Sequence, residues 1–174
     1  GMLTEELSIA QATQFLQDQS HSPIWEFKCE DEIRGSANYQ DGIVFIGSYD
    51  HNIYALDSSS GEFVWKYPTN GGVVSKPAIH ENKLFFGSTD QYIHAISIRT
   101  GKRVWMQSTD GAIYSSPCIA EGHLFIGSDD EYLHVINIIN GREAWRNNLG
   151  ARVRSSPIVV GDLIYIGSEN GEIQ

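Results

Sequence analysis

Residues 112–147 read AIYSSPCIAEGHLFIGSDDEYLHVINIINGREAWRN. Four short runs stand out: AIYSSPCIA (112–120), HLFIGS (123–128), EYLHVIN (131–137) and REAWRN (142–147). Turn formers separate them, at Glu121-Gly122, Asp129-Asp130 and Asn140-Gly141. Runs of this length, rich in Ile, Val, Tyr and Phe, read as strands. The links are short enough for antiparallel hairpins. The second run decides more than the others. Leu124, Phe125 and Ile126 are consecutive and apolar. A strand with one wet face alternates, so this strand is expected to be buried on both faces.

The same pattern extends in both directions. Tryptophan stands at Trp25, Trp65, Trp105 and Trp145, and glycine at Gly47, Gly87, Gly127 and Gly167, each followed by serine. A second glycine series is Gly61, Gly101 and Gly141, placed where a turn needs positive φ. Proline recurs at Pro77, Pro117 and Pro157, with Ala37 in the first position. Each series has a spacing of 40 residues. Val44-Phe45-Ile46 and Leu84-Phe85-Phe86 repeat the doubly buried strand. Small sheets stacked face to face around an axis bury both faces of such strands. The expected fold is therefore all-β: a β-propeller of four-stranded antiparallel blades with 40-residue repeats. A helical solenoid would need 3.6-residue periodicity. That appears only near the start, where Thr4 caps and Leu7, Ala10, Ala12, Phe15 and Leu16 form an apolar side. Residues 1–20 are expected to hold a tag glycine and a short N-terminal helix. Residues 21–174 are expected to hold an outer strand at Ile24–Phe27, three full repeats and one incomplete repeat.

Composition limits the partners. The net charge is −10, with 22 acidic against 12 basic residues. Tracking phosphates needs clustered Lys and Arg, so no nucleic acid is expected, nor an anionic membrane surface. No stretch approaches the ~18 apolar residues of a membrane span. The residues after Met2 show no basic and apolar signal pattern, and a cytoplasmic protein is expected. Cys29 and Cys118 have no zinc spacing and read as buried reduced thiols.

The repeat resembles the pyrroloquinoline-quinone-like (PQQ-like) propeller repeat over about residues 25 to 174. The matching residues include Ser115-Ser116-Pro117, Phe125-Ile126-Gly127-Ser128, Tyr54-Ala55-Leu56-Asp57 and Gly61 to Trp65. The tryptophan series resembles that family's tryptophan-docking motif, in which the indole wedges against the neighbouring blade. A turn carbonyl there could satisfy the indole N–H. The family includes quinoprotein dehydrogenases, an outer-membrane-assembly scaffold, and propellers appended to kinases and adenylating enzymes, so the resemblance fixes fold better than function. A quinoprotein dehydrogenase would imply PQQ with calcium, and adjacent cysteines beside the cofactor. Cys29 and Cys118 are not adjacent, and every repeat here is minimal. The expected function is a non-catalytic binding or scaffold module for protein or peptide partners, with no cofactor. A PQQ-dependent oxidoreductase is the alternative. The family's rings usually hold seven or eight blades. Three closures stay open: part of a longer propeller, a homodimer completing an eight-bladed ring by exchanging the closing strand, or a closed four-bladed ring.

Candidate site residues sit where the repeats differ at the start of the first strand, facing one end of the central channel. One series is Arg34, Val74, Tyr114 and Arg154; Glu32 and Arg152 lie two residues before it, and Lys76 two after it. Arg34, Lys76, Arg152 and Arg154 could form a basic mouth able to hold a carboxylate. The competing reading pairs these charges with Glu32 or solvent. His94 and His134 share a repeat position too widely spaced for a common metal, so packing or hydrogen bonding is expected. Asp50, Asp90, Asp130 and Asn170 suit turn capping better than calcium. Asp129, Asp130 and Glu131 read as a solvated acidic loop. No nucleophile elbow or phosphate loop is present.

Overall fold

The structure is a computed structural model that describes residues 22–174. The helix expected within residues 1–20 lies outside the described residues. Three four-stranded antiparallel sheets follow one another, and two strands of a fourth complete the described array. The first unit holds β1 (Asn38–Gln40), β2 (Ile43–Gly47), β3 (Asn52–Asp57) and β4 (Phe63–Pro68). The second holds β5 (Ala78–His80), β6 (Lys83–Gly87), β7 (Tyr92–Ser97) and β8 (Arg103–Ser108). The third holds β9 (Cys118–Ala120), β10 (His123–Gly127), β11 (Tyr132–Asn137) and β12 (Glu143–Asn148), and the fourth β13 (Ile158–Val160) and β14 (Leu163–Tyr165). Strand order within each full sheet follows the chain, and β5 lies beside both β1 and β9, as β9 lies beside β13.

The doubly buried second strand is the centre of the packing. Phe45, Ile53 and Ala55 of the first unit meet Val73, Leu84, Phe86 and Ile96 of the second. Phe85, on the opposite face of β6 from Leu84 and Phe86, joins Ile93 and Ala95 against Ile113, Leu124 and Ile126 of the third unit. Phe125, Leu133 and Val135 repeat this against Val153 and Ile166 of the fourth. Each unit thus offers one apolar face to its predecessor and one to its successor. Burying a residue such as Phe85 completely is worth about 2–3 kcal/mol, so the stack is held mainly between units.

Two expectations about strands need correction. The first run of each repeat is not one long strand: residues 112–117 are irregular and only Cys118–Ala120 pairs with β10. The serines hold that half by other means: the Ser116 hydroxyl accepts from the Lys76 amide and the Ser115 hydroxyl from the Gly127 amide. Ile24–Phe27 is not a strand either, because among the described residues it has no sheet neighbour. It nevertheless lies where an outer strand would. The Trp25 indole N–H donates to the Ser58 carbonyl at 2.9 Å, as Trp65 does to Ile98 (2.8 Å) and Trp105 to Ile138 (3.1 Å). Gly61, Gly101 and Gly141 are required twice over there. Their φ values are 73°, 64° and 73°, and a Cβ would stand 2.6–2.8 Å from the indole atoms of the docked tryptophan.

The channel mouth as candidate functional site

The segments before each first strand are fixed by repeated contacts rather than by sheet pairing. The carbonyls of Glu32, Gly72, Ala112 and Arg152 accept from the amides of Tyr49, Thr89, Asp129 and Glu169 at 2.9–3.0 Å. One residue on, the side chains of Val73, Ile113 and Val153 are fully buried, and their amides donate to Ser48, Ser88 and Ser128. Those serines are buried as well, and each hydroxyl reaches back to the previous segment, to Asp31, Gly71 or Gly111. The glycine before each serine leaves room for Val73, Ile113 or Val153, which would collide with any Cβ at Gly47, Gly87 or Gly127. The Gly-Ser pair is therefore a clamp on the segment that precedes each first strand.

The residue after each buried anchor points away from the core, and here the repeats differ. Arg34 pairs with Glu32 at 2.7 Å and lies over the Tyr49 ring at 4.8 Å. Arg154 binds both carboxylate oxygens of Asp129, at 2.8 and 2.7 Å, meets Glu169 at 3.4 Å, and stacks over Tyr114 at 4.4 Å. Hydrogen bonding to these carboxylates raises both guanidinium pKa values further. Lys76 and Arg152 are exposed, and among the described residues their side chains make no ion pair. The structure therefore builds two preset Arg–Tyr–carboxylate clusters and two open cations, not a uniformly basic funnel. The Ser116 and Ser156 hydroxyls accept from the Lys76 and Ser116 amides at 2.9 and 3.0 Å, lacing successive units together. Asp129, Glu169 and Tyr49 were not among the sequence candidates. Asp129 is only 15% exposed at its side chain, which corrects the reading of 129–131 as a solvated loop. The signal was available: this repeat position varies, with Tyr49, Thr89, Asp129 and Glu169, and turns acidic in the two units that flank Arg154.

The histidines turn inward. His94 Nε2 meets Asp90 at 3.2 Å, its Nδ1 lies 3.4 Å from the Tyr67 hydroxyl, and its ring stacks on Phe86 at 5.2 Å. His134 lies between Asp130 (2.9 Å) and Glu143 (2.7 Å). Burial alone would lower the His134 pKa, but hydrogen bonds to these two carboxylates raise it. Asp50, Asp90 and Asp130 each accept the amide two residues on, at 3.0–3.1 Å. Their second oxygens accept the amides of Glu30, Asn70 and Asp110 in the preceding segment. One carboxylate thus caps its own turn and fastens it to the neighbouring unit. Among the described residues no group of three or more His, Cys, Asp or Glu is placed to hold a metal ion, and no helix is long and apolar enough to cross a membrane. Cys29 and Cys118 are free thiols in different units, so they do not supply the cysteine pair that a quinone site of the resembling enzymes implies. Burial and the nearby Asp50 carboxylate raise the Cys29 pKa.

A family profile described as outer membrane protein assembly factor BamB matches residues 14–116 and 89–174. The chain belongs to this BamB family of PQQ-like propellers. No curated protein sequence matches it. Among solved structures, BamB from Moraxella catarrhalis superimposes with a TM-score of 0.76 at 23% identity, over 86% of this chain and 48% of that one. This chain therefore spans about half the length of that BamB. The computationally designed Ika4 protein matches with a TM-score of 0.80 at 16% identity, over 90% of this chain and 97% of that one. A quinohemoprotein alcohol dehydrogenase from Pseudomonas putida HK5 matches at 0.59 and 22% identity, over 74% of this chain and 22% of that one. These likenesses carry the propeller fold across both the BamB and the quinoprotein branches.

Proposed function

We propose that the chain is a non-catalytic propeller scaffold that binds protein or peptide partners at its channel mouth. The observation that carries this reading is the pair of Arg–Tyr–carboxylate clusters, Arg34–Tyr49–Glu32 and Arg154–Tyr114–Asp129, held on clamped segments. Arginine and tyrosine dominate protein interfaces because they give large, stiff, amphipathic contacts at low entropic cost. Lys76 and Arg152 add open cations for an acidic side chain or a chain-terminal carboxylate. The BamB family membership supports a scaffold. The tryptophans are read as a docking set that stiffens the disc. The reading needs no cofactor, nucleic acid or membrane insertion, and its compartment is proposed to be the cytoplasm. Fractionation of source cells against envelope markers tests the compartment.

Capture from source lysate on immobilised wild type, against an Arg34→Ala/Arg154→Ala double variant of equal thermal stability, tests the mouth. Recovery of the bound species should fall by about tenfold, since two interface arginines typically carry more than ~1 kcal/mol. Equal recovery removes the site. Calorimetric titration with PQQ and calcium tests the oxidoreductase alternative. Tight binding with dye-linked dehydrogenase activity would replace the scaffold reading.

A further inference from the structure

We propose that the outer edge of β8 is a second docking surface, which takes an extended acidic segment of a partner protein as an added strand. It belongs to the outer strand of the second unit, not to the channel mouth. β8 (Arg103–Ser108) pairs with β7 alone, so its other edge is open. The register fixes which groups line that edge. The Tyr92 carbonyl accepts from Ser88 and the Tyr92 amide donates to Asp90, so neither bonds to Ser108 opposite. Antiparallel alternation then turns the backbone amides of Ser108 and Met106 outward.

An open edge alone is common to β4, β8 and β12. The three strands differ in how that edge is blocked. At the Met106 position β4 and β12 carry Lys66 and Arg146, charges that discourage strand addition. At the Ser108 position β4 carries Pro68, which has no amide to offer. The edge is thus blocked twice in β4, once in β12 and at neither place in β8. Val104 and Met106, beside the open amides, are 46% and 39% exposed. The charges of this edge stand together at its start. Arg99, Lys102 and Arg103 share the hairpin in which the Ser97 amide donates to the Lys102 carbonyl. All three are exposed, and among the described residues none is in an ion pair. Arg142 holds the Lys102 position in the next unit and is likewise exposed and unpaired. On a protein of net charge −10, free cations beside an open apolar edge select an acidic strand. Edge pairing supplies backbone hydrogen bonds, alternate side chains pack on Val104 and Met106, and carboxylates meet the cations.

Fluorescence anisotropy of a labelled peptide of alternating valine and glutamate, titrated with the full chain, tests this. Saturable binding is expected, and a valine–lysine peptide should bind about tenfold more weakly or worse. Lys102→Glu/Arg103→Glu installs the residues that Glu62 and Glu143 already supply at these positions in the first and third units. The fold should therefore hold, and binding should weaken by about tenfold. Ser108→Pro copies Pro68 and should weaken binding about fivefold, with unchanged circular dichroism. Should that variant unfold, N-methylation of alternate peptide residues removes the same hydrogen bonds from the other side, with the same loss expected. The Arg34→Ala/Arg154→Ala variant should bind the peptide as wild type does. Absence of saturable binding, equal binding of the two peptides, or full affinity after charge reversal or N-methylation overturns the proposal. A loss confined to the Arg34→Ala/Arg154→Ala variant overturns it in favour of the mouth. Tighter binding to vesicles of anionic phospholipid than to the peptide overturns it in favour of a membrane surface.

Discussion

Gly101 and Gly150 both adopt positive φ, at 64° and 74°, but only Gly101 faces a neighbour. A Cβ at Gly101 would stand 2.8 Å from the Trp65 ring, whereas nothing lies within 4 Å of one at Gly150. Gly150→Ala should therefore cost the left-handed penalty alone, about 1–2 kcal/mol. Gly101→Ala should cost roughly 1–3 kcal/mol more, because the indole must move. Urea unfolding of both variants checks this, and equal losses would show that the tryptophan does not press on the turn. His134 gives the pH dependence. Its folded pKa is raised above the ordinary 6.5 by Asp130 and Glu143, against burial. The protonated ring therefore stabilises the fold fully below the unfolded value, and that contribution is lost as pH rises through the raised folded value. Asp130 runs the other way. Burial raises its pKa, but bonds from His134 and backbone amides lower it on balance. Its contribution is present above the ordinary 3.8 and lost as acid protonates the folded carboxylate. His134→Gln should cost about 2 kcal/mol below pH ~6.5 and progressively less above it. A loss that is flat with pH would mean the ring is neutral in the fold.

Three tryptophans, Trp25, Trp65 and Trp105, donate to a turn carbonyl of the next unit. Trp65 also packs near Phe45, with ring centroids 5.7 Å apart. Trp65→Ala should cost about 3–5 kcal/mol. Chemical denaturation checks this, and a loss below about 1 kcal/mol would contradict the account of docking. The elements themselves were legible because their cues are local. Period, turn residues and the Leu-Phe-Ile triplets place the second, third and fourth strands within about a residue of their observed ends. The first strand was overestimated because Ser115-Ser116-Pro117 lies in irregular backbone, bent at Ser115, without ladder partners. Composition alone does not distinguish that from a strand. Ile24–Phe27 failed as a strand for a different reason: strand character needs a neighbour, and the neighbour is not sequence-local.

At the scale of the whole molecule, the mouth was only half legible. The variable positions Arg34, Tyr114 and Arg154 could be found by aligning repeats. Their partners Asp129, Glu169 and Tyr49 lie in hairpins whose proximity to the mouth is set by the stacking of units. The pairing engages two of the four cations, Arg34 and Arg154, and leaves Lys76 and Arg152 open. The stacking itself is tested most directly at Phe85, fully buried between the second and third units. Phe85→Ala should cost about 3–5 kcal/mol in urea unfolding, and a loss below about 1 kcal/mol would contradict an array held together between its units.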